Sequence, residues 1–433
     1  MVDRTIKYEK NIFFFFIFIF NAEATTIQDY EIQILIEKYL DIVKESNKYE
    51  KEINFNIVLD NNPNAFINEK KNLFVTTGLI KYCPTYEAFI GVLAHEIGHL
   101  KNYHITKRVE SINNLKSLNK LGTLSIIATS ILSKNSNNLV QPIIINQVGI
   151  QNYYSSFSRD QEREADIYAA ETLNKLNISS QPLINFLQIL KKKSIKEGVN
   201  SDNFKFSSHP VYEERFEILE NIVLKNNNLV NDNLNHQFKF IKAKLFGYTE
   251  ENNEELKEYL DGDYFNYANS IILSRNGKLE KSMHIINKLI KKYPSNLFLI
   301  ETKADLLLNH GYTDIAKKFY KLIFKNNNNN YYVKKRIFEI EFQNIKENKK
   351  IDKEFFNINS DLIIIFRKDN ILQKKFRELY IHQNNIEWKN LINANIYMNK
   401  NNNNQALEIL NNIISSSNDK KLVYYAKYLI KQI

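Results

Sequence analysis

The sequence of 433 residues contains a single cysteine, Cys83, and no apolar run long enough to cross a lipid bilayer. One cysteine excludes an internal disulfide, so stability must come from packing, and we expect a buried thiol rather than a catalytic one. The apolar run Ile12–Phe20 is nine residues long, whereas a membrane-spanning helix needs about 20. The apolar segments 121–132 and 140–150 are also too short to span.

The chain also lacks a basic-aromatic motif, although it carries a formal net charge of +10. Residues 25–230 are close to neutral, so the excess of positive charge lies in residues 231–433. A basic half can meet nucleic acid, an acidic membrane surface or acidic polypeptides. Because its lysines are scattered, we interpret it as a solvated face, and we predict no nucleic-acid partner and at most peripheral membrane contact.

What the chain does have begins at its N-terminus. Arg4, Lys7 and Lys10 precede the short run Ile12–Phe20, and the small-x-small sequence AEA ends at Ala24. This order is typical of a secretory signal peptide, so we predict a signal peptide at residues 1–24 that is cleaved near Ala24. An uncleaved anchor or a buried strand is the alternative.

At this length two domains are expected. Residues 25–225 mix strand and helix patterns: strands are predicted at 55–60 and 72–80, with a hairpin turn near 69–72, and helices at 86–104, 160–174 and 182–195. This half is therefore predicted to be an α+β domain, mostly helical, with a small sheet.

Residues 226–433 show a repeat instead of strands. Gly277 and Gly311 are 34 residues apart, and the small residues Ser282 and Ala316 follow each of them by five. That period is typical of tetratricopeptide (TPR) repeats, and residues 393–414 echo it out of phase, with Ala406 at the small position. We predict an all-α TPR-like solenoid; ordinary helical hairpins are the alternative.

The segment "HEIGH" places His95 and His99 four residues apart with Glu96 between them. On a helix, residues i and i+4 lie one above the other, so the two imidazoles face a common point and Glu96 flanks it. A buried histidine pair is the alternative, but a carboxylate inside an otherwise apolar helix argues against it. The motif therefore predicts one Zn²⁺ per chain, with Glu96 as the general base.

A catalytic zinc needs a third protein ligand. The candidates are His104, His209 and the acidic segment "SRDQEREADIYAA", in which Glu162 and Asp166 share one helical face. His104 follows His99 by five positions and is rotated off the shared face. In the acidic segment, one carboxylate could bind the metal while the other accepts an imidazole N–H.

"HEIGH", followed about sixty residues later by "EREAD", resembles the HtpX-like and CAAX-prenyl-protease-like zinc endopeptidases. The resemblance implies a zincin-like metallopeptidase domain in which Glu162 is the third ligand and Asp166 its partner behind the metal. In periplasmic relatives, the histidine of the Ser/Thr-His-Pro motif can occupy the open position of the zinc. His209 stands in that motif here, so a regulatory or transition-state role is implied for it. Because Pro210 suits the first turn of a helix, we expect His209 to lie where a loop meets a helix.

Signal peptide, protease and repeats in this order look most like the BepA-type periplasmic proteases that tend outer-membrane β-barrel assembly. This implies export to the periplasm of a Gram-negative-type bacterium and cleavage of misfolded or stalled outer-membrane proteins. The β-barrel assembly machinery is a further implied partner. The alternative is a TPR chaperone or scaffold with latent or minor proteolysis. A membrane-integral prenyl-type peptidase is disfavoured because no segment reaches spanning length.

Three details stay open. Peptide hydrolysis passes through an oxyanion that needs a hydrogen-bond donor besides zinc, and the candidates for this donor are His209, Arg215, Tyr153 and Tyr154. The hairpin before the zinc helix either offers an edge strand to an extended substrate or is purely structural. The apolar segments 121–132 and 140–150 either cover the active site or form a buried helical hairpin.

Overall fold

The computed structural model describes residues 27, 29–68, 70–107, 157–196, 205–206, 209–210, 213–221, 231–254, 256–348 and 359–433. The predicted signal peptide, Tyr153, Tyr154 and the apolar segments 121–132 and 140–150 lie outside these residues. Two compact units are present: one contains Leu40–Val230, and the other combines Gln28–Tyr39 with Asn231–Ile433. None of the described helices is long and apolar enough to cross a membrane. The predicted α+β fold, mostly helical with a small sheet, is confirmed.

A three-stranded sheet precedes the central helices of the first unit. It follows helix α1 (Tyr30–Ser46), whose residues up to Tyr39 belong to the second unit, and consists of β1 (Asn54–Val58), β2 (Ala65–Ile67) and β3 (Asn72–Thr76). Strand β3 lies in the middle, parallel to β1 and antiparallel to β2, with Ile57 opposite Val75 and Phe66 opposite Phe74. The predicted hairpin is therefore confirmed, and β2 is its edge strand.

The predicted strand at 72–80 is wrong beyond Thr76, where helix α2 (Thr77–Tyr82) begins. The Thr76 hydroxyl accepts a hydrogen bond from the Leu79 N–H at 3.1 Å and so caps the new helix. Only glycine fits at position 78 of this helix, because the backbone at Asn61 passes so close that a Cβ would lie 2.3 Å from the Asn61 carbonyl oxygen. Local capping outweighs the strand propensity of the two threonines.

Helix α3 (Tyr86–Lys101) is the central helix of the first unit, and Tyr86 to His99 are all buried. The Thr85 side chain caps its start by accepting from the Ala88 N–H. The helix ends three residues earlier than predicted, because Tyr103 adopts a left-handed conformation with φ 59°.

Helices α4 (Arg159–Lys175) and α5 (Gln181–Lys196) pack against α3. Gly98 allows α4 to come close, since a Cβ there would lie 3.1 Å from the Cα of Ala165. Ser158 and Gln161 form a capping box that fixes where α4 begins. The tight spacing sets the distance between the histidines of α3 and the acidic side chains of α4.

The first unit ends with a short hairpin, β4 (Lys205–Phe206) and β5 (His209–Pro210), followed by α6 (Glu213–Asn221). The expectation that Pro210 lies in the first turn of a helix is wrong. Pro210 is in β5, and the helix begins at Glu213. The extended backbone favoured before a proline suits the strand instead.

The second unit is all helical in its described residues beyond 231. Its helices are α7 (Asp232–Thr249), α8 (Leu256–Tyr259), α9 (Gly262–Arg275), α10 (Leu279–Lys292), α11 (Leu297–Asn309), α12 (Thr313–Asn326), α13 (Tyr331–Asn348), α14 (Leu362–Ile365), α15 (Asn370–His382), α16 (Ile386–Asn399), α17 (Asn403–Ser416) and α18 (Lys420–Ile430). Gly277 and Gly311 follow α9 and α11 with φ of 75° and 83°, the region that favours glycine. Ala316 and Ala406 are fully buried in α12 and α17.

This unit also buries a charged group, which we call the lysine cluster: Lys244, Asp29, Glu31 and Glu301. The Lys244 Nζ lies 2.7 Å from Asp29 Oδ2, 3.2 Å from Glu31 Oε2 and 3.8 Å from Glu301 Oε1. Burial raises the pKa of Glu31 to about 7, against the opposing effect of Lys244. Burial lowers the pKa of Lys244, but Asp29 and Glu31 outweigh it and hold that pKa well above its usual value.

Candidate metal centre

Helix α3 brings His95 and His99 together. Their Nε2 atoms are 3.1 Å apart, and the ring centroids are 4.7 Å apart with the planes at 77°. Both side chains are buried. The i, i+4 spacing thus directs both imidazoles to one point, as the sequence indicates.

Glu162 of α4 reaches the same point. Its Oε2 lies 3.4 Å from His95 Nε2, and its Oε1 lies 3.6 Å from His99 Nε2. Zinc binds nitrogen and oxygen at about 2.0–2.2 Å, so ligand atoms at the corners of a tetrahedron are about 3.3 Å from each other. The separations of these three side chains fall close to that spacing.

Asp166, one turn further along α4, lies behind His95. The Asp166 Oδ1 is 2.9 Å from His95 Nδ1, so that nitrogen carries the proton and donates it to the carboxylate. The lone pair of His95 Nε2 is thereby directed at the cluster. Carboxylates behind histidine ligands orient them in this way in metal sites.

Arg215 of α6 joins the two carboxylates. Its Nε and Nη2 donate to Asp166 at 2.6 and 2.8 Å, and its Nη1 lies 3.1 Å from Glu162 Oε2. The sequence suggested Arg215 as a donor to an oxyanion. The structure instead places its guanidinium against the acidic side chains, where it neutralises buried charge and fixes their orientation.

His209, on β5, completes the group. Its Nδ1 lies 2.8 Å from Glu162 Oε1 and 3.3 Å from His95 Nε2. Its Nε2 lies 3.2 Å from Glu96 Oε1. The imidazole therefore stands between the three side chains from α3 and α4 and the carboxylate of Glu96.

The electrostatics of the cluster depend on its burial. Burial would raise the pKa of Glu162, but the neighbouring His209 and Arg215 outweigh it and hold that pKa well below its usual range. Asp166 follows the same pattern, with Arg215 and His95 lowering its pKa. Both carboxyl groups are therefore ionised, the form that binds a metal or accepts from an imidazole.

The histidines differ from each other. Burial, helped by the nearby His95, lowers the pKa of His99 well below its usual value. Burial also opposes charge on His209, but Glu162 and Glu96 outweigh it and raise the pKa of His209 to about 9. A divalent cation would take the place of such a proton, since a ligating imidazole must offer a free lone pair.

The donor set fits a zinc ion. His95, His99, Glu162 and His209 each offer one ligand atom, and these four atoms lie within 4.8 Å of one another. Glu162 Oε2 and His209 Nε2 are buried and make no hydrogen bond of good geometry among the described residues, although each has an ion-pair neighbour, Arg215 and Glu96 respectively. Imidazole nitrogens combined with one carboxylate are a usual zinc environment.

His104, a candidate third ligand in the sequence, lies outside this set. Its Nδ1 is 3.0 Å from His99 Nδ1, and its Nε2 is 2.9 Å from Glu164 Oε2. Phe157 stacks on His99 with ring centroids 3.8 Å apart. Neither Phe157 nor Glu164 is predicted as a site residue from the sequence, and Phe157, 58 positions from His99, has no local pattern that marks it.

Comparison with known proteins agrees with this geometry. Residues 27–223 match peptidase family M48. This match supports a metallopeptidase, and the predicted resemblance to zinc peptidases of this type is confirmed.

Two similar proteins extend the comparison. A "Beta-barrel assembly-enhancing protease" of Yersinia pestis is 24% identical over 281 residues, which cover 62% of this chain and 57% of the relative. The protein of the same name from Escherichia coli (strain K12) is 20% identical over 288 residues, covering 62% of this chain and 56% of the relative. The matches thus cover little more than half of each relative's length.

Proposed function

We propose that this protein is a zinc-dependent endopeptidase in which His95, His99 and Glu162 hold the metal. The observation that carries the proposal is the convergence of two imidazole nitrogens and one carboxylate, 3.1 to 3.6 Å apart, inside an M48 domain. Asp166 orients His95 from behind. Three protein ligands leave a position for the reaction, as in other catalytic zinc sites.

The chemistry is shared between the ion and Glu96. When bound, a zinc ion acts as a Lewis acid that polarises the scissile carbonyl and acidifies a water molecule. Glu96 is buried and adjoins the cluster without belonging to its ligand atoms. Its carboxylate accepts the proton of the attacking water and passes it to the leaving amine.

His209 holds the site latent in this proposal. Its ring separates Glu96 from the metal-binding side chains, where substrate and water must enter. A two-residue strand carries His209, so a small movement of the β4–β5 hairpin would withdraw it. The other role considered for His209, stabilising the transition state, would require the ring to stay close during the reaction.

The proposed substrates are misfolded or stalled outer-membrane β-barrel proteins, and the proposed location is the periplasm after signal-peptide cleavage near Ala24. Support comes from the short charged-apolar N-terminus and from relatives that are named for enhancing β-barrel assembly. The β-barrel assembly machinery is the further partner proposed on the same ground.

The helical unit is proposed to be a TPR-like domain, residues 226–433, that engages such polypeptides. Gly277 and Gly311 take the same left-handed conformation 34 residues apart, and Ser282 and Ala316, five positions later, are fully buried. A small buried residue lets the two helices of a pair cross closely. The scaffold alternative is not favoured, because the peptidase unit has a complete set of metal-binding side chains.

The test is the substitution Glu96→Gln in the full chain. Loss of the proton acceptor should reduce cleavage of an unfolded β-barrel protein by about 10²–10⁴-fold and leave the zinc content unchanged. Glu171→Gln, an exposed change on α4, is the matched control. Retained cleavage by Glu96→Gln would remove Glu96 from the mechanism, and full function of this variant in cells would favour the scaffold role.

A second substitution tests latency. His209→Ala should increase the cleavage rate severalfold with zinc still bound, because the ring no longer separates Glu96 from the metal. The rate is measured on the same unfolded substrate, and zinc by elemental analysis. A lower rate with full zinc content would instead assign His209 to the transition state.

A further inference from the structure

A line of three side chains leads from the protein surface to the metal-binding cluster. Glu164 is 54% exposed, whereas His104 and His99 are buried. The Glu164 Oε2 lies 2.9 Å from His104 Nε2, and His104 Nδ1 lies 3.0 Å from His99 Nδ1. Both nitrogens of His104 are therefore engaged, one on each side.

The backbone explains how His104 reaches this place. A continuous helix would turn position 104 away from His99, because five residues correspond to about 500° of rotation. Helix α3 ends at Lys101, and Tyr103 takes a left-handed conformation that redirects the chain. His104 thereby comes to lie behind His99 on the side opposite the cluster.

The positions of the protons follow from the outermost group. A carboxylate accepts hydrogen bonds, so His104 Nε2 must carry the proton that it donates to Glu164. A neutral imidazole has one N–H, so His104 Nδ1 is an acceptor and His99 Nδ1 must donate to it. His99 Nε2 is then left with a free lone pair, and this atom faces His95 and Glu162.

We propose that His104 and Glu164 are positioning residues that fix the tautomer and the ring orientation of His99 for metal binding. This inference rests on the proposed zinc site. The two proposed histidine ligands are then oriented by different hydrogen bonds. His95 donates directly to the buried Asp166, whereas His99 donates through a second imidazole to a carboxylate at the surface.

The test is zinc affinity, measured on the full chain by competition with a chromophoric chelator. His104→Leu removes both polar atoms and should weaken zinc binding about 10–100-fold. His104→Gln keeps one acceptor and one donor and should recover most of that loss. Substitution of Co²⁺ gives a second readout, since the visible absorption of the bound ion should shift in His104→Leu and return in His104→Gln.

Glu164→Gln tests the hydrogen bond between His104 and Glu164 and changes no buried side chain. It should weaken zinc binding by about 3–10-fold, less than His104→Leu because the carboxylate is partly solvated. Adding it to His104→Leu should cause no further loss, because the line is already broken. Glu171→Gln, exposed seven residues along the same helix, should bind zinc like the wild type.

The outcomes separate this inference from the proposed function. A wild-type chain that binds no zinc would overturn both. A wild-type chain that binds zinc, with His104→Leu within about twofold of it, would overturn the positioning role alone. If His104→Leu does not fold, Glu164→Gln decides, and an affinity equal to that of Glu171→Gln counts against the proposal.

Discussion

Each of the two compact units buries a charged cluster, and the two clusters neutralise their charge in different ways. In the helical unit, the carboxylates of Asp29 and Glu31 surround an ammonium group that the chain itself provides, Lys244. In the first unit, Arg215 neutralises part of the negative charge from the side, while His95 Nε2 and the Glu162 carboxylate face a common centre that could hold a metal ion.

The difference shows that buried charge alone does not define a functional site. Burial raises the pKa of Glu31 to about 7 and that of Glu301 to about 8, so the lysine cluster is neutralised by Lys244 and by protons. In the first unit, Asp166 instead orients His95, and Arg215 together with His209 keeps Glu162 ionised. The convergence of lone pairs on one point distinguishes the candidate metal centre from the lysine cluster.

The largest effect should come from Lys244→Met. Removing the cation leaves buried carboxylates without their partner and should lower the free energy of unfolding by about 3–5 kcal/mol. Urea denaturation measures this, with the exposed Lys281→Met as control. Zinc affinity should not change. A loss below about 1 kcal/mol would mean that protons alone neutralise the lysine cluster.

The converse substitution is Glu162→Gln in the metal centre. It removes a proposed ligand and should weaken zinc binding by at least about 100-fold, which is about 2.7 kcal/mol. Chelator competition measures the affinity, and circular dichroism checks that the chain is folded. Zinc binding within about tenfold of the wild type would contradict the ligand assignment and remove the contrast between the clusters.

The smallest effect concerns pH and Glu31. Its pKa of about 7 in the folded chain lies above the ordinary 4.5, so the folded state binds the proton more tightly. The protonated Glu31 carboxyl therefore stabilises the folded state fully below about pH 4.5, and this stabilisation is lost as pH rises through about 7. Glu31→Gln cannot ionise, so its stability relative to the wild type should increase by about 1–3 kcal/mol between pH 5 and 8.

Denaturation of both proteins at the two pH values checks this, because titrations elsewhere cancel in the difference. A constant difference would mean that Glu31 is ionised throughout as a partner of Lys244. The lysine cluster would then be a fully charged network, and the contrast with the metal centre would rest on geometry alone.

Much of the metal centre could be predicted from the sequence because its spacing is local. His95 and His99 share one helix turn, and Glu162 and Asp166 share another, so the 3.6-residue period fixes each pair. Bringing the two pairs together is a tertiary event. The sequence indicates this helix contact only through two small residues, Gly98 and Ala165, which face each other where the helices cross.

The remaining contacts could not be predicted because they join distant segments. Arg215 lies 49 residues from Asp166, and the sequence suggested it as a donor to the oxyanion rather than as the partner of this carboxylate. Two errors had local causes: Thr76 caps a helix where strand propensity continues, and Pro210 suits both a strand and a helix start. The family resemblance, rather than spacing, selected Glu162 among the candidate ligands.

The position of Asp29 and Glu31 in the chain has a practical consequence for making fragments. They are needed by Lys244, yet Glu31 precedes it by 213 residues. A recombinant piece that starts at residue 231 would therefore lack two of the carboxylates around its buried lysine. In the full chain, this unit therefore completes its buried lysine cluster only when residues 28–39 pack against it.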